Sequence, residues 1–140
     1  VYFAAGMDGA YYSYGYPYQR RMLAKAVRYA ADAPAPVRVE APMCIQATFF
    51  KQRAAQGERL IVHLFNSINT TADHGEPTTE VPLREEQAPI GGIRVYFLES
   101  APANAYVEPA HIPVEIHDAT TVPFVEAPPV GLHALVVADL

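Results

Sequence analysis

The residues best suited to recognising a ligand form a cluster of tyrosines near the start of the chain. A tyrosine offers a flat apolar ring and a hydroxyl group, which suits both stacking against sugar rings and burial at a protein interface. The sequence has nine tyrosines, and five of them fall within one short segment that also contains Gly15 and Pro17. We expect this cluster to form an interface or inter-domain packing surface, with a carbohydrate platform as the alternative. Its members are Tyr11, Tyr12, Tyr14, Tyr16 and Tyr18.

The carboxylates do not form a convincing catalytic pair. Hydrolysis of a glycosidic bond needs two carboxyl groups held across a cleft, about 5 to 10 Å apart. Glu85 and Glu86 are adjacent in a polar segment, which is typical of a solvated surface. Asp8 follows a short apolar stretch, a position where α/β domains hold ligand groups, although a loop Asp also forms turns and caps. We therefore predict no catalytic residue and keep Asp8 as a candidate ligand-binding residue.

The five histidines and the single cysteine lack the spacings of a metal centre. No His-x-x-x-His or Cys-x-x-Cys pair occurs, so neither a metal nor a cofactor is expected. Glu115 and His117 would share one face of a strand, and His133 would join them only if its strand were a neighbour. Cys44 has no adjacent base and is expected to contribute packing rather than a nucleophile. The histidines, each expected to be a hydrogen-bonded structural residue, are His63, His74, His111, His117 and His133.

Charge and composition exclude several classes of protein. Fifteen acidic residues against ten basic ones give a net charge of -5, which repels nucleic acid and anionic membranes. No apolar run is long enough to cross a bilayer, so we predict a soluble protein, cytoplasmic or secreted. Thirteen prolines and eight glycines in 140 residues, with only 18% charged residues, argue against long surface helices.

The first 35 residues are predicted to be a strand followed by a helix. Residues 1–5 are apolar and read as a strand, and Pro17 suits the first turn of a helix that Pro34 and Pro36 end. The apolar positions of this helix recur at a spacing of three to four residues, as on one helical face. This order resembles the end of an α/β domain of the flavodoxin or amidotransferase type. The helix positions are Met22, Leu23, Ala26, Val27 and Ala30.

From residue 36 onward the pattern changes to alternation, which predicts strands. Residues 43–49 alternate as in a half-buried strand, and a turn at Gln56 and Gly57 leads into residues 60–65, which read as a central strand covered on both faces. Residues 93–97 predict a further strand, and four shorter candidates follow. About seven strands in about 100 residues predict a mainly β domain, an antiparallel immunoglobulin-like β-sandwich over residues 36–140. The polar stretch 67–92 is predicted to be a long loop.

Several runs resemble a known family. Tyr14–Ala30, Val37–Pro42, Arg59–Asn66 and Gly131–Val137 together resemble the C-terminal part of bacterial glycoside-hydrolase-like proteins with a β-galactosidase trimerisation-type domain. In that family a (β/α)8 barrel carries the catalytic carboxylates, an amidotransferase-like α/β domain follows, and a small β-sandwich closes the chain. The resemblance implies that residues 1–35 end the trimerisation-type domain and residues 36–140 form the sandwich. The chain, which begins inside an apolar run, is accordingly read as part of a longer protein.

These observations lead to one main hypothesis and two alternatives. The main hypothesis is a non-catalytic accessory and assembly module of a glycoside-hydrolase-like protein, with the remainder of the parent chain and further copies of itself as partners. The first alternative is a carbohydrate-binding module that uses the Tyr11–Tyr18 cluster. The second is a self-associating structural protein in which residues 1–5 pair with a neighbouring chain.

Overall fold

The computed structural model describes residues 1–31, 33–54, 57–68, 87–118 and 122–140. Two compact units can be distinguished. The first lies within Val1–Pro34, and the second comprises the described residues from Ala35 onward.

The first unit contains two helices, α1 (Met7–Tyr14) and α2 (Pro17–Ala30). Gly15 joins them with a φ of 65°, a left-handed conformation that glycine adopts without steric cost, and its N–H donates to the Tyr11 carbonyl at 2.7 Å. Pro17 occupies the first turn of α2, as the sequence predicts.

The strand predicted for residues 1–5 is not formed. These residues have no strand partner among the described residues, and a strand without a neighbour leaves its N–H and C=O groups unpaired. Residues 7–14, expected to be a loop, instead pair their backbone groups locally in α1, beginning with Ala10 N–H to the Gly6 carbonyl at 2.9 Å. Residues 1–5 precede α1 and belong to neither a helix nor a strand. An apolar run this short shows no period, so its composition alone does not establish a strand.

The second unit is a β-sandwich of two antiparallel sheets, which confirms the predicted fold class. One sheet has the order β1-β4-β8-β7 and the other the order β2-β3-β9-β5-β6. The strands are β1 (Val37–Glu40), β2 (Ile45–Ala54), β3 (Gly57–Asn66), β4 (Ile93–Phe97), β5 (Asn104–Glu108), β6 (Ile112–Pro113), β7 (Ile116–Asp118), β8 (Pro123–Ala127) and β9 (His133–Asp139).

The predicted hairpin is present as β2 and β3, which pair from Ile45 with Asn66 to Ala54 with Gly57. β3 is central, between β2 and β9, but only one of its faces is fully covered. Its outward residues are half-buried or, at Phe65, 38% exposed. The prediction that both faces of β3 are covered is therefore wrong for the outward face, because β3 packs against one opposing sheet rather than between two layers. The buried residues of β3 are Leu60, Val62, Leu64 and Asn66.

The hydrophobic core of the sandwich lies between the two sheets. Alternate residues of the central strands point inward, so their side chains interdigitate and exclude water. Each fully buried Leu, Ile or Val contributes roughly 1.5–3 kcal/mol relative to exposure. The largest fully buried apolar side chains are Leu60, Leu64, Ile93, Val62, Val95, Val125, Val130 and Val136.

Asn66 is a fully buried polar residue in this core. Its amide donates to the carbonyls of Ala88, at 3.0 Å, and Val130, at 3.2 Å, and its side-chain oxygen accepts from the Ile68 N–H at 3.1 Å. Because both ends of the amide are paired, Asn66 joins the end of β3 to the segments before β4 and β9 without an unsatisfied group.

Candidate functional site

The structure gathers three of the predicted tyrosines into a stack at the junction of α1 and α2. The ring centroids of Tyr14 and Tyr16 lie 6.0 Å apart at an interplanar angle of 18°, and those of Tyr16 and Tyr18 lie 5.6 Å apart at 14°. The turn at Gly15 brings Tyr14, at the end of α1, next to Tyr16 and Tyr18, at the start of α2. The three rings are 70%, 49% and 58% exposed respectively, so the stack is a surface feature.

The other predicted site residues line a cleft beside this stack. Asp8, Tyr11 and Tyr12 lie on α1 and border, with Gly15 and Leu23, a concavity of about 320 Å³. Asp8 is exposed in the first turn of α1, where a carboxylate interacts favourably with the helix dipole. The cleft is lined by apolar rings and one carboxylate, so it can hold a ring-shaped ligand or the side chains of a protein partner.

The described residues of the helical unit form no hydrophobic core. Among its described residues, Gln19 is the one buried residue, and its Oε1 has no hydrogen-bond partner. On α2 the predicted apolar face is largely solvent-facing, with Met22 45% and Val27 67% exposed, and Tyr29 is 84% exposed. A helix is normally stabilised in water by burial of its apolar face, which is incomplete here.

The outer face of the four-stranded sheet carries a row of side chains in contact. The Arg38 guanidinium lies 4.2 Å from the centroid of the Tyr96 ring, and the Tyr96 ring lies 5.3 Å from that of Phe124. Phe124 in turn stacks on His117 at 5.0 Å. At one end of this row the Tyr96 hydroxyl donates to Glu40 at 2.9 Å.

An ion pair flanks the same row. Arg94 Nε donates to the Glu126 carboxylate at 2.8 Å, and this hydrogen bond raises the pKa of the Arg94 guanidinium above its ordinary value. The cation therefore remains charged at every physiological pH. Because each ring and each charge on this face already has a partner, the row stabilises the pairing of β1, β4, β8 and β7.

The outer face of the five-stranded sheet brings two histidines together. Nδ1 of His63 on β3 lies 3.3 Å from Nε2 of His133 on β9, and Phe50 packs edge-on against His63 at 5.4 Å. Next to them Arg59 donates to Asp139 at 2.8 Å. Sequence analysis missed this pair because 70 residues separate the two histidines, and the register of β3 with β9 alone makes them neighbours.

The histidines do not converge on a metal centre in the part of the chain that the structure describes. The suggested grouping of His117 with His133 is wrong, because β7 and β9 belong to different sheets. His111 pairs with Glu108 at 3.0 Å. Across the described ranges, no group of three or more His, Cys, Asp or Glu side chains could hold a metal ion. His74, Glu85 and Glu86 lie outside the described residues, as does most of the predicted loop at 67–92.

Cys44 precedes β2 and is half-buried as a free thiol. No described helix is long and apolar enough to span a membrane.

Comparison with known proteins identifies one informative structural likeness. No family model matches the chain, and no curated protein is significantly similar in sequence. The chain resembles part of α-L-fucosidase isoenzyme 2 from Paenibacillus thiaminolyticus, with a TM-score of 0.67 and 19% sequence identity. The likeness covers 99% of this chain but only 20% of the fucosidase. At this identity it establishes a shared fold, and the chain spans about one fifth of the length of that enzyme.

Proposed function

We propose that the chain is a non-catalytic accessory and assembly module of a glycoside-hydrolase-like protein that acts on carbohydrate. The observation that carries this proposal is the helical unit, whose described residues expose the Tyr14–Tyr16–Tyr18 stack and the apolar face of α2 and include no buried apolar side chain. Such a unit gains its stability from a partner that covers this surface. The sandwich, by contrast, has a complete core.

Two further observations support a role in which this chain does not itself hydrolyse the glycosidic bond. The described carboxylates of the sandwich mostly form ion pairs with a neighbouring cation, as Glu126 does with Arg94 and Asp139 with Arg59, rather than facing one another across a cleft. The fold likeness to one fifth of a fucosidase is what an attached domain of a larger glycoside hydrolase would give. The partner that covers the helical unit is then the remainder of the parent protein, including its catalytic barrel.

The trimerisation-type origin of residues 1–35 is part of this proposal and rests on the sequence resemblance.

An assay for glycoside hydrolysis tests the non-catalytic role. The purified chain, incubated with a panel of aryl glycosides that includes an aryl α-L-fucoside, should release no phenol above the buffer rate. Measurable turnover that survives repurification would overturn the proposal.

The tyrosine stack favours carbohydrate binding as the second candidate function. Exposed aromatic rings next to a carboxylate-bearing cleft are suited to stacking against a pyranose ring while a polar group holds its hydroxyls. The two functions differ in one measurable respect, because a sugar platform binds an oligosaccharide saturably and an assembly surface does not.

A further inference from the structure

Strand β2 forms one edge of the five-stranded sheet. It pairs with β3 along all ten of its residues, and on its other side the described part of the chain supplies no strand. An edge strand presents a row of backbone donors and acceptors, and this one runs for ten residues, twice the length of β5 in the same sheet.

The backbone groups at this free edge can be assigned to particular residues. The Ser67 N–H donates to the Cys44 carbonyl at 2.9 Å, so the polar groups of Cys44 face β3. In an antiparallel ladder the direction alternates from residue to residue, so even-numbered residues of β2 face β3 and odd-numbered residues face outward. The outward N–H and C=O groups in the middle of the strand are those of Ala47, Phe49, Lys51 and Arg53.

The side chains of β2 are exposed on both faces of the strand. Every residue from Gln46 to Arg53 is exposed, although alternate side chains point to opposite faces. Phe49 is 42% exposed on the side that faces the other sheet, and Phe50 is 58% exposed on the outer side. β2 therefore extends past the covered part of the sandwich and offers both apolar rings and a free backbone edge.

Two basic residues on β2 would normally oppose pairing with another strand, since lysine and arginine at an edge repel a second copy. Both are neutralised within the chain. The Lys51 ammonium contacts the Glu99 carboxylate, and Arg53 Nε donates to Glu58 at 2.7 Å.

We propose that β2 pairs antiparallel with β2 of a second copy of this chain across a two-fold axis, which joins the two five-stranded sheets into one. This inference deepens the proposed assembly role and rests on it. Antiparallel pairing about the middle of the strand sets Lys51 and Arg53 opposite uncharged residues of the other strand, within residues 45–49. Like charges are thereby kept apart, which favours a second copy over a strand of unrelated sequence.

The symmetry also restricts the register. Paired residues in a continuous sheet point to the same face, so odd-numbered residues pair with odd and even with even. A centred register then has Phe49 facing Phe49 of the second copy, or Phe50 facing Phe50. Aromatic pairs of this kind stabilise a ladder beyond the contribution of its hydrogen bonds.

Disulfide formation tests this register directly. In a Cys44→Ser background, one of the two variants Phe49→Cys and Phe50→Cys should form a covalent dimer under mild oxidation, because residues at the axis meet their own counterparts at a distance that a disulfide spans. Gln46→Cys is the matched control, an exposed residue of the same strand that faces residue 52 or 54 of the second copy and should remain monomeric. Cross-linking of neither phenylalanine position, or equal cross-linking at residue 46, would overturn the proposal.

Sedimentation of the uncross-linked chain gives an independent readout. Phe49→Lys introduces like charges near the axis and removes an apolar ring, so the dissociation constant of the dimer should rise at least about tenfold. Leu132→Lys, at a residue 60% exposed outside β2, should leave the dimer unchanged. A chain that is monomeric at all concentrations would contradict the pairing, and if it also hydrolyses no glycoside, the accessory role would stand without it.

Discussion

Tyr16 lies between Tyr14 and Tyr18, and its ring is nearly parallel to that of Tyr18, with centroids 5.6 Å apart. The stack places three exposed rings at the turn between α1 and α2, two helices in which no apolar side chain is buried. The same chain contains a sandwich with a complete core. This contrast between an uncovered unit and a self-sufficient one is the basis of the proposed assembly role.

If the stack serves assembly, it should not bind sugar. We expect no saturable change in tyrosine fluorescence when neutral oligosaccharides, including fucosylated ones, are titrated into the chain. A saturable change that Tyr16→Ala abolishes, and that Tyr29→Ala leaves intact, would favour the carbohydrate-binding alternative. Tyr29 is a suitable control because it is 84% exposed and belongs to α2 outside the stack.

The sandwich core should respond strongly to truncation of Leu64, which is fully buried on β3. Leu64→Ala removes buried apolar surface and leaves a cavity, so the free energy of unfolding should fall by about 2–5 kcal/mol. Urea unfolding followed by circular dichroism measures this loss. Leu132→Ala, at an exposed residue, should change it by no more than about 0.5 kcal/mol. Equal effects at the two positions would contradict the core described above.

Asn66 should be needed for stability although it is polar. Asn66→Ala removes the amide donor to the Ala88 carbonyl and the acceptor of the Ile68 N–H, while the Val130 carbonyl keeps its bond from the Ile90 N–H. Unsatisfied buried groups cost about 1–3 kcal/mol. Asn104→Ala is the matched control, since Asn104 is exposed at the start of β5. Urea midpoints that shift equally for both variants would show that the buried amide has no special role.

Two substitutions of Tyr96, in the row on the four-stranded sheet, should separate the contribution of its ring to stability from that of its hydroxyl. Tyr96→Phe keeps the ring but removes the hydroxyl and its exposed hydrogen bond to Glu40, and should cost at most about 1 kcal/mol of unfolding free energy. Tyr96→Ala also removes the contacts with Arg38 and Phe124 and should cost more. If thermal unfolding of the two variants is the same, the ring contacts contribute nothing.

The parts of the fold that could be predicted from sequence are those with a local period. Alternation over residues 43–49 and 93–97 indicates strands, and the turn before β3 indicates a hairpin, because both signals lie within a few residues. The helix after Pro17 was predictable for the same reason. The apolar run at residues 1–5 was not, since it is too short to show a period and its composition alone does not establish a strand.

Of the candidate surfaces, too, those that depend on local sequence could be predicted and those that depend on strand pairing could not. The tyrosines of the stack could be identified by their spacing around Gly15 and Pro17. The contact of His63 with His133 and the row from Arg38 to His117 depend on strand pairings between distant parts of the chain. The position of β2 at the edge of its sheet, among the described strands, likewise follows from the sheet order rather than from any feature of its own sequence.

Hydrogen exchange tests the assembly role most directly. With no buried apolar side chains, the amides of α1 and α2 should exchange rapidly in this chain alone, while those of β3 and β9 are protected. In the longer glycoside-hydrolase-like protein to which the proposal assigns this chain, the account predicts that residues 7–30 become protected, because the remainder of that protein would cover the tyrosine stack and α2. Equally rapid exchange of residues 7–30 in both proteins would contradict it.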